Sequence, residues 1–288
     1  MSEYTIITDS CCDLPAELAE ELELEVLPLH LEMEGQDHQN RLASKKEGFG
    51  PFYDRLREGM LATTSAVSAG EFEVVMRRCA EAGRDVLCLT FSSALSATYQ
   101  SAVIAAEAVG EDYPERKLRV VDTLSASLGQ GLLVTLCARE RARGRTLEEV
   151  AAFAEEKRLH ICHWFTVDDL NHLKRGGRIN AATALFGTML SIKPVLHVDD
   201  EGRLVAVSKA RGRKASLTAL ADKMAETVTD PAVVFISHGD CRADAELLAA
   251  EIRRRFPVEE LMIHFVGPVI GNHSGPGTVA LFFVGSRR

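Results

Sequence analysis

The 288-residue chain is long enough for one large or two medium α/β domains. With 46% hydrophobic and 26% charged residues it has the make-up of an ordinary globular protein, which excludes disordered, collagen-like and disulfide-scaffold classes. Its 33 basic and 42 acidic residues leave a net charge of −9, so no general nucleic-acid footprint is expected.

Short β-rich runs alternate with longer helical patterns, which predicts an α/β fold with a parallel first half. The run Tyr4 to Thr8 reads as a buried strand that stops at Asp9-Ser10, with Asp13 capping a helix that opens on Pro15 and Glu17. A second strand is expected over Leu24 to Leu31, then a polar, irregular connection from Gly35 to Gly50. A helix from Ala69 precedes a strand at Asp85 to Thr90, and the segment after Phe91 turns into a helix reaching Val109. Strand Leu118 to Val121 ends at Asp122-Thr123, followed by helices over Leu124 to Arg143 and Thr146 to Lys157. The polar turns of such a series fall along one sheet edge, where α/β proteins bind ligands.

After residue 157 the rhythm changes. A strand over His160 to Val167, a short helix and the turn Gly176-Gly177 precede a hairpin of Pro194 to Val198 with Leu204 to Ser208. Helix Lys214 to Val228, strand Val233 to Ser237, helix Ala243 to Phe256 and strand Met262 to Val266 follow. A Gly/Pro loop then leads to a last strand, Val279 to Val284. The expected division is residues 1–157, a parallel Rossmann-like domain, and 158–288, a mixed α/β domain.

The seven cysteines, Cys11, Cys12, Cys79, Cys88, Cys137, Cys162 and Cys241, form no C-x-x-C pair and read as reduced thiols in a cytoplasmic protein. No leader is expected in Met1 to Thr5. The longest apolar stretch, Ala181 to Val198, is broken by Lys193 and Pro194, well short of the ~20 residues a membrane span needs. His160 and His163 are expected on opposite faces of a strand, and no metal site is expected.

Four segments could carry chemistry. Thr63-Thr64-Ser65-Ala66-Val67-Ser68 offers hydroxyls and free N–H groups at a helix start, with Ser68 and Glu71 spaced as a capping box. Ser92, Ser93 and Ser96 follow a strand end, where hydroxyl and N–H donors can meet an anion. Gly271-Asn272-His273-Ser274-Gly275-Pro276-Gly277 puts a histidine among residues that let backbone approach closely. Leu173 to Arg178 and Lys209 to Lys214 concentrate positive charge in an acidic chain, as for an anion or an acidic partner surface.

Read in order, Ile7-Thr8-Asp9-Ser10, Ser92 to Ala102, Leu173-Lys174-Arg175-Gly176-Gly177-Arg178-Ile179 and Ile270 to Gly277 resemble the DegV family of fatty-acid-binding proteins, which includes the FakB subunits of bacterial fatty acid kinase. The resemblance spans nearly the whole chain. It implies two α/β domains clasping a long-chain fatty acid, its carboxylate held by Thr64, Ser65, Ser92, Ser93, Gly271, His273 and Ser274. Arg178 and Arg211 match basic positions that serve a partner, the ATP-binding kinase subunit that turns the bound acid into an acyl-phosphate for phospholipid synthesis. No cofactor, no catalytic residue and transient membrane contact are implied. Ala66-Val67, Ala94, Ala97 and Cys11-Cys12 depart from the family pattern and bear on the head-group geometry. The rival reading is a serine esterase with Ser93 as nucleophile and His273 as base; it lacks a G-x-S-x-G elbow and a fixed acidic third member, Asp9 and Asp122 being expected to cap turns. A nucleotide-dependent transferase is disfavoured by the lack of a glycine-rich phosphate loop after the first strand.

Overall fold

The computed structural model describes residues 4–44, 48–179 and 192–288. Most of the apolar stretch 181–198 thus lies outside the described residues, as does part of the connection expected over 35–50.

Three sheets organise the described residues. Strands β1 (Tyr4–Asp9), β2 (Leu24–Leu27), β6 (Asp85–Thr90) and β7 (Leu118–Asp122) form a parallel four-stranded sheet in the order β2-β1-β6-β7. Helices α3 (Ala69–Glu81) and α4 (Thr98–Asp112) cover one face, and α5 (Leu128–Ala142) and α6 (Leu147–Lys157) the other. This is the doubly wound pattern, with strand carboxyl ends feeding loops on one edge.

The second sheet is mixed and six-stranded, ordered β10-β9-β8-β13-β11-β12. Its members are β8 (Ile161–Thr166), β9 (Ile192–Val198), β10 (Leu204–Arg211), β11 (Val228–His238), β12 (Glu260–Phe265) and β13 (Val279–Gly285). Helices α8 (Arg213–Thr227) and α9 (Arg242–Arg255) cover one face. The other face receives α5, so that one helix packs on both large sheets. Close approach there needs Gly129, because a Cβ on that residue would run into the His163 ring.

The third sheet, β4 (Gln36–Asn40), β3 (Leu29–Met33) and β5 (Ala62–Ser65), is antiparallel and corrects three expectations. The single strand over Leu24 to Leu31 is two strands in different sheets, parted at Pro28. The polar connection contains β4, whose side chains are mostly exposed and so carry no hydrophobic alternation. The Thr-Thr-Ser segment is itself the strand β5. Helix α2 (Gly50–Arg57), with Pro51 in its first turn, starts where that connection ends and was not expected.

Two further corrections concern turns. Asp13 does not cap α1 (Ala16–Glu21), whose flanking residue is Pro15 with no side-chain cap; Asp13 adopts φ +50° and turns its carboxyl inward. The Gly/Pro loop before the last strand holds a short helix, α10 (Pro268–Ser274), so His273 rides on a helical turn. The Ser68–Glu71 capping box forms as its spacing predicts. Asp9 and Asp122 hold turn N–H groups: Asp9 accepts from Cys11 and Phe91 at 3.0 and 2.7 Å, and Asp122 accepts from Leu124 at 2.9 Å. All seven cysteines are free.

Candidate functional site

Between the loop edge of the parallel sheet and the open face of the mixed sheet lies a cavity of about 290 Å³. Its walls are chiefly apolar: Leu29, Phe91, Phe165, Leu173, Val266 and Phe282 are among the residues that line it. Strand register sets the order of its floor. Ala280 pairs with Phe165 on one side and Ser237 on the other, and Phe282 pairs with His163 one step deeper. Thr278, just before β13, stands at the outer end, its Oγ1 donating to Ser274 O at 3.1 Å.

The outer end is polar and is assembled from three separated stretches of chain. From β5 come Thr64, half-buried, and Ser65, exposed; from α10 come His273 and Ser274; Arg178 follows a short helix, α7 (Asn171–Arg175). Thr64 Oγ1 and His273 Nε2 share a hydrogen bond of 2.7 Å. Asn272 Nδ2 donates to Ala62 O at 3.0 Å, so two contacts pin α10 to β5. Burial, then the neighbouring Arg178 and Arg175 charges, push the His273 pKa down to about 4, so the ring is neutral at pH 7. The Ser274 hydroxyl is buried with no hydrogen-bond partner, on a residue that lines the cavity. Arg178 places a cation in the same wall, its Nε donating to Leu95 O at 3.3 Å and its guanidinium also to Gly176 O.

The inner end is polar in a different way. His163 is fully buried and held neutral, its pKa pushed well down by burial and then by Arg288. Its Nδ1 hydrogen-bonds Ile161 O at 2.9 Å, and its Nε2 accepts from Ala126 N at 3.4 Å. Ser127 and Ser237 also face this part of the cavity, their hydroxyls 3.0 Å apart.

Of the residues expected at the head group, Thr64, Ser65, His273 and Ser274 meet at one end of the cavity. Ser92, Ser93 and Gly271 stand outside its wall. Ser92 Oγ donates to Gly202 O at 2.9 Å and ties its loop to the β9–β10 turn. Ser93 is exposed, its N–H held by Asp122 at 3.2 Å. Gly271 is buried in α10 beside Tyr53. The serine of that loop which does line the cavity is Ser96, three residues on. Arg178 is a cavity residue rather than a purely outward one, while Arg211 is exposed at the end of β10. Sequence reasoning placed Ser96 in a candidate segment without singling it out, and missed Ser127, Ser237 and His163 as lining residues. A weak signal existed for the last two, a polar side chain in the middle of each apolar strand. Among the described residues no cluster of three His, Cys, Asp or Glu side chains could hold a metal, and no helix is long and apolar enough to cross a membrane.

Comparison with known proteins agrees with this geometry. The model of the family described as "Uncharacterised protein, DegV family" matches residues 3–286. A DegV domain-containing protein of Clostridium perfringens, CPE0026, is 41% identical over 290 residues, covering 100% of this chain and 99% of the relative. A fatty-acid-binding DegV family protein from Thermus thermophilus superposes with a TM-score of 0.87 at 34% identity, covering 97% of this chain and 98% of its own. A DegV lipid-binding protein from Thermotoga maritima gives 0.86 at 31% identity, with 99% of each chain covered.

Proposed function

This chain belongs to the DegV family, and from that premise we propose that it carries a long-chain fatty acid and offers its carboxylate to an ATP-using kinase. One observation carries the reading: an apolar cavity of about 290 Å³ is closed at one end by convergent donors, around the Thr64–His273 hydrogen bond. The Thermus thermophilus and Thermotoga maritima proteins, described as binding fatty acid and lipid, support it.

The energetics favour such a cargo. Burying roughly 15 methylenes at ~0.8 kcal/mol each gives a gross gain of about 12 kcal/mol, an upper bound before association costs. The carboxylate cannot enter unpaired, since a bare buried charge costs several kcal/mol. Neutral donors from Thr64, Ser65, His273 and the open Ser274 hydroxyl would hold it, and Arg178 would balance its charge. Because Ser65 is exposed, the head group sits at the mouth and keeps an oxygen facing out. That oxygen would attack the terminal phosphorus of ATP held by the partner, releasing ADP and leaving an acyl-phosphate. Exposed Arg211 suits contact with such a partner.

Esterase chemistry is disfavoured. A nucleophile must reach its base, yet Ser93 is exposed outside the cavity wall and His273 Nε2 is engaged by Thr64. An imidazole with its pKa down at about 4 is also a weak base at neutral pH.

Denaturing extraction of the purified protein followed by mass spectrometry should release about one long-chain acid per chain. An empty extract from protein that also fails to bind added stearate would sink the carrier reading.

A further inference from the structure

The tail part of the cavity is not uniformly apolar. Ser237, in the middle of β11, is completely buried and lines the cavity. Behind it runs a chain of polar groups: Ser127 Oγ lies 3.0 Å from Ser237 Oγ and 2.6 Å from Asp13 Oδ2. The other Asp13 oxygen, Oδ1, accepts from Gly267 N at 3.0 Å. We infer that Ser237 is a second polar contact inside the tail channel, and that the channel is built for a long-chain acid bearing an in-chain hydroxyl.

Counting hydrogens leads there. Burial, as the largest cause, holds the Asp13 carboxyl up to about 8, so at neutral pH it keeps its proton. Oδ1 already receives the Gly267 N–H, so the proton sits on Oδ2 and is given to Ser127. The Ser127 O–H then points to Ser237. This leaves the Ser237 O–H to point into the cavity. If Asp13 ionises, every donor in the chain reverses, and Ser237 offers a lone pair to the cavity instead. An alcohol answers either state, because a hydroxyl both donates and accepts.

A plain methylene chain laid against Ser237 would leave its hydroxyl with the Ser127 bond alone and half of its capacity unused, which costs free energy in a dry site. Sites that hydrogen-bond a ligand hydroxyl discriminate against the analogue lacking it for this reason. The position is also informative. Ser237 pairs with Ala280, two residues along β13 from Thr278 at the outer end, or about 7 Å deeper at the strand rise. The hydroxyl would therefore lie part-way down the tail, separate from the carboxylate at Thr64, His273 and Ser274.

The inference rests on the fatty-acid reading, and its test separates the two. Dissociation constants are measured by calorimetry for stearate and for a positional series of hydroxystearates. One member of the series should bind about tenfold more tightly than stearate. In Ser237→Ala that ratio should fall to near one, whereas Ser274→Ala should weaken both acids alike and preserve it. Stearate binding by each variant reports that it is folded. The inference is overturned if no hydroxystearate outbinds stearate, or if Ser237→Ala keeps the wild-type ratio. Failure of wild-type protein to bind stearate at all would sink the carrier reading and the inference with it.

Discussion

The two ends of the cavity hold similar residue types, a neutral histidine and serines at each, yet they are prepared for different things. At the inner end both nitrogens of His163 are engaged by the protein's own backbone, and Ser127 is bonded on both sides. At the outer end the Ser274 hydroxyl has no partner and Arg178 brings a positive charge. Polar residues whose bonds are complete hold structure together, whereas polar residues with spare capacity beside a cation await an anion. This contrast, rather than the count of hydroxyls, is what favours the outer end for the carboxylate in the proposed reading.

The contrast can be broken most severely at Arg178. Charge reversal by Arg178→Glu should cost about a hundredfold in stearate affinity, since a charge-assisted bond is lost and a like charge is introduced. Calorimetry showing unchanged affinity would mean that the carboxylate sits elsewhere. A smaller effect is expected at the opposite end, where the Gly129→Ala methyl would meet the His163 ring. It should destabilise the protein by about 1–3 kcal/mol in urea unfolding, as overpacking does. A silent substitution there would show that the inner end is loosely packed.

The mildest probe reads pH. In the unfolded chain the Asp13 carboxyl ionises at its ordinary 3.8, while in the folded protein it holds its proton up to about 8. Between those values the folded state binds more protons, so the Asp13 contribution to stability falls as pH rises and levels off above about 8. The depressed pKa values of His273 and His238, both about 4, act in the opposite sense, and only below their ordinary 6.5. Between 6.5 and 8 the fall from Asp13 is joined by one from His30, whose pKa is raised above its ordinary 6.5 by Glu71, so Asp13 is read as a difference between two proteins. Asp13→Asn keeps the acceptor for Gly267 and gives Ser127 a fixed donor, so it should make the decline in that window shallower and leave the His30 part. The difference in slope between the two proteins cannot exceed about 1.4 kcal/mol per pH unit, the limit for a single proton. Identical slopes in both proteins, followed by chemical denaturation, would mean that Asp13 is ionised throughout.

What could be read in advance was what the chain writes locally. The Ser68–Glu71 cap is a pattern of four residues, and the β9–β10 hairpin is a strand pair around a turn. Strands such as Asp85–Thr90 are buried runs with an unmistakable apolar signal. The small sheet was hidden because its membership depends on distant partners: β4 is polar along most of its length, and Pro28 divides what looks like one strand. The site was partly legible for the same reason. Thr64, Ser65, His273 and Ser274 stand in unusual hydroxyl and glycine settings, whereas Ser127 and Ser237 gain meaning only when α5 is laid on the mixed sheet. Distinguishing Ser93 from Ser96 required knowing where α4 begins, at Thr98, and hence which serine of the preceding turn faces inward.

The threading of the head-group set through Thr64, Arg178 and His273 bears on any attempt to cut the gene in two. No piece that lacks either β5 or α10 retains a complete receptor for the acid, however well it folds alone. Two fragments divided at the exposed turn near Gly144, which parts β5 from Arg178 and α10, would each be silent on the proposed reading, and capture of a fluorescent acyl probe would report only their reunion. The molecule is thereby suited to a split reporter whose signal is lipid uptake itself.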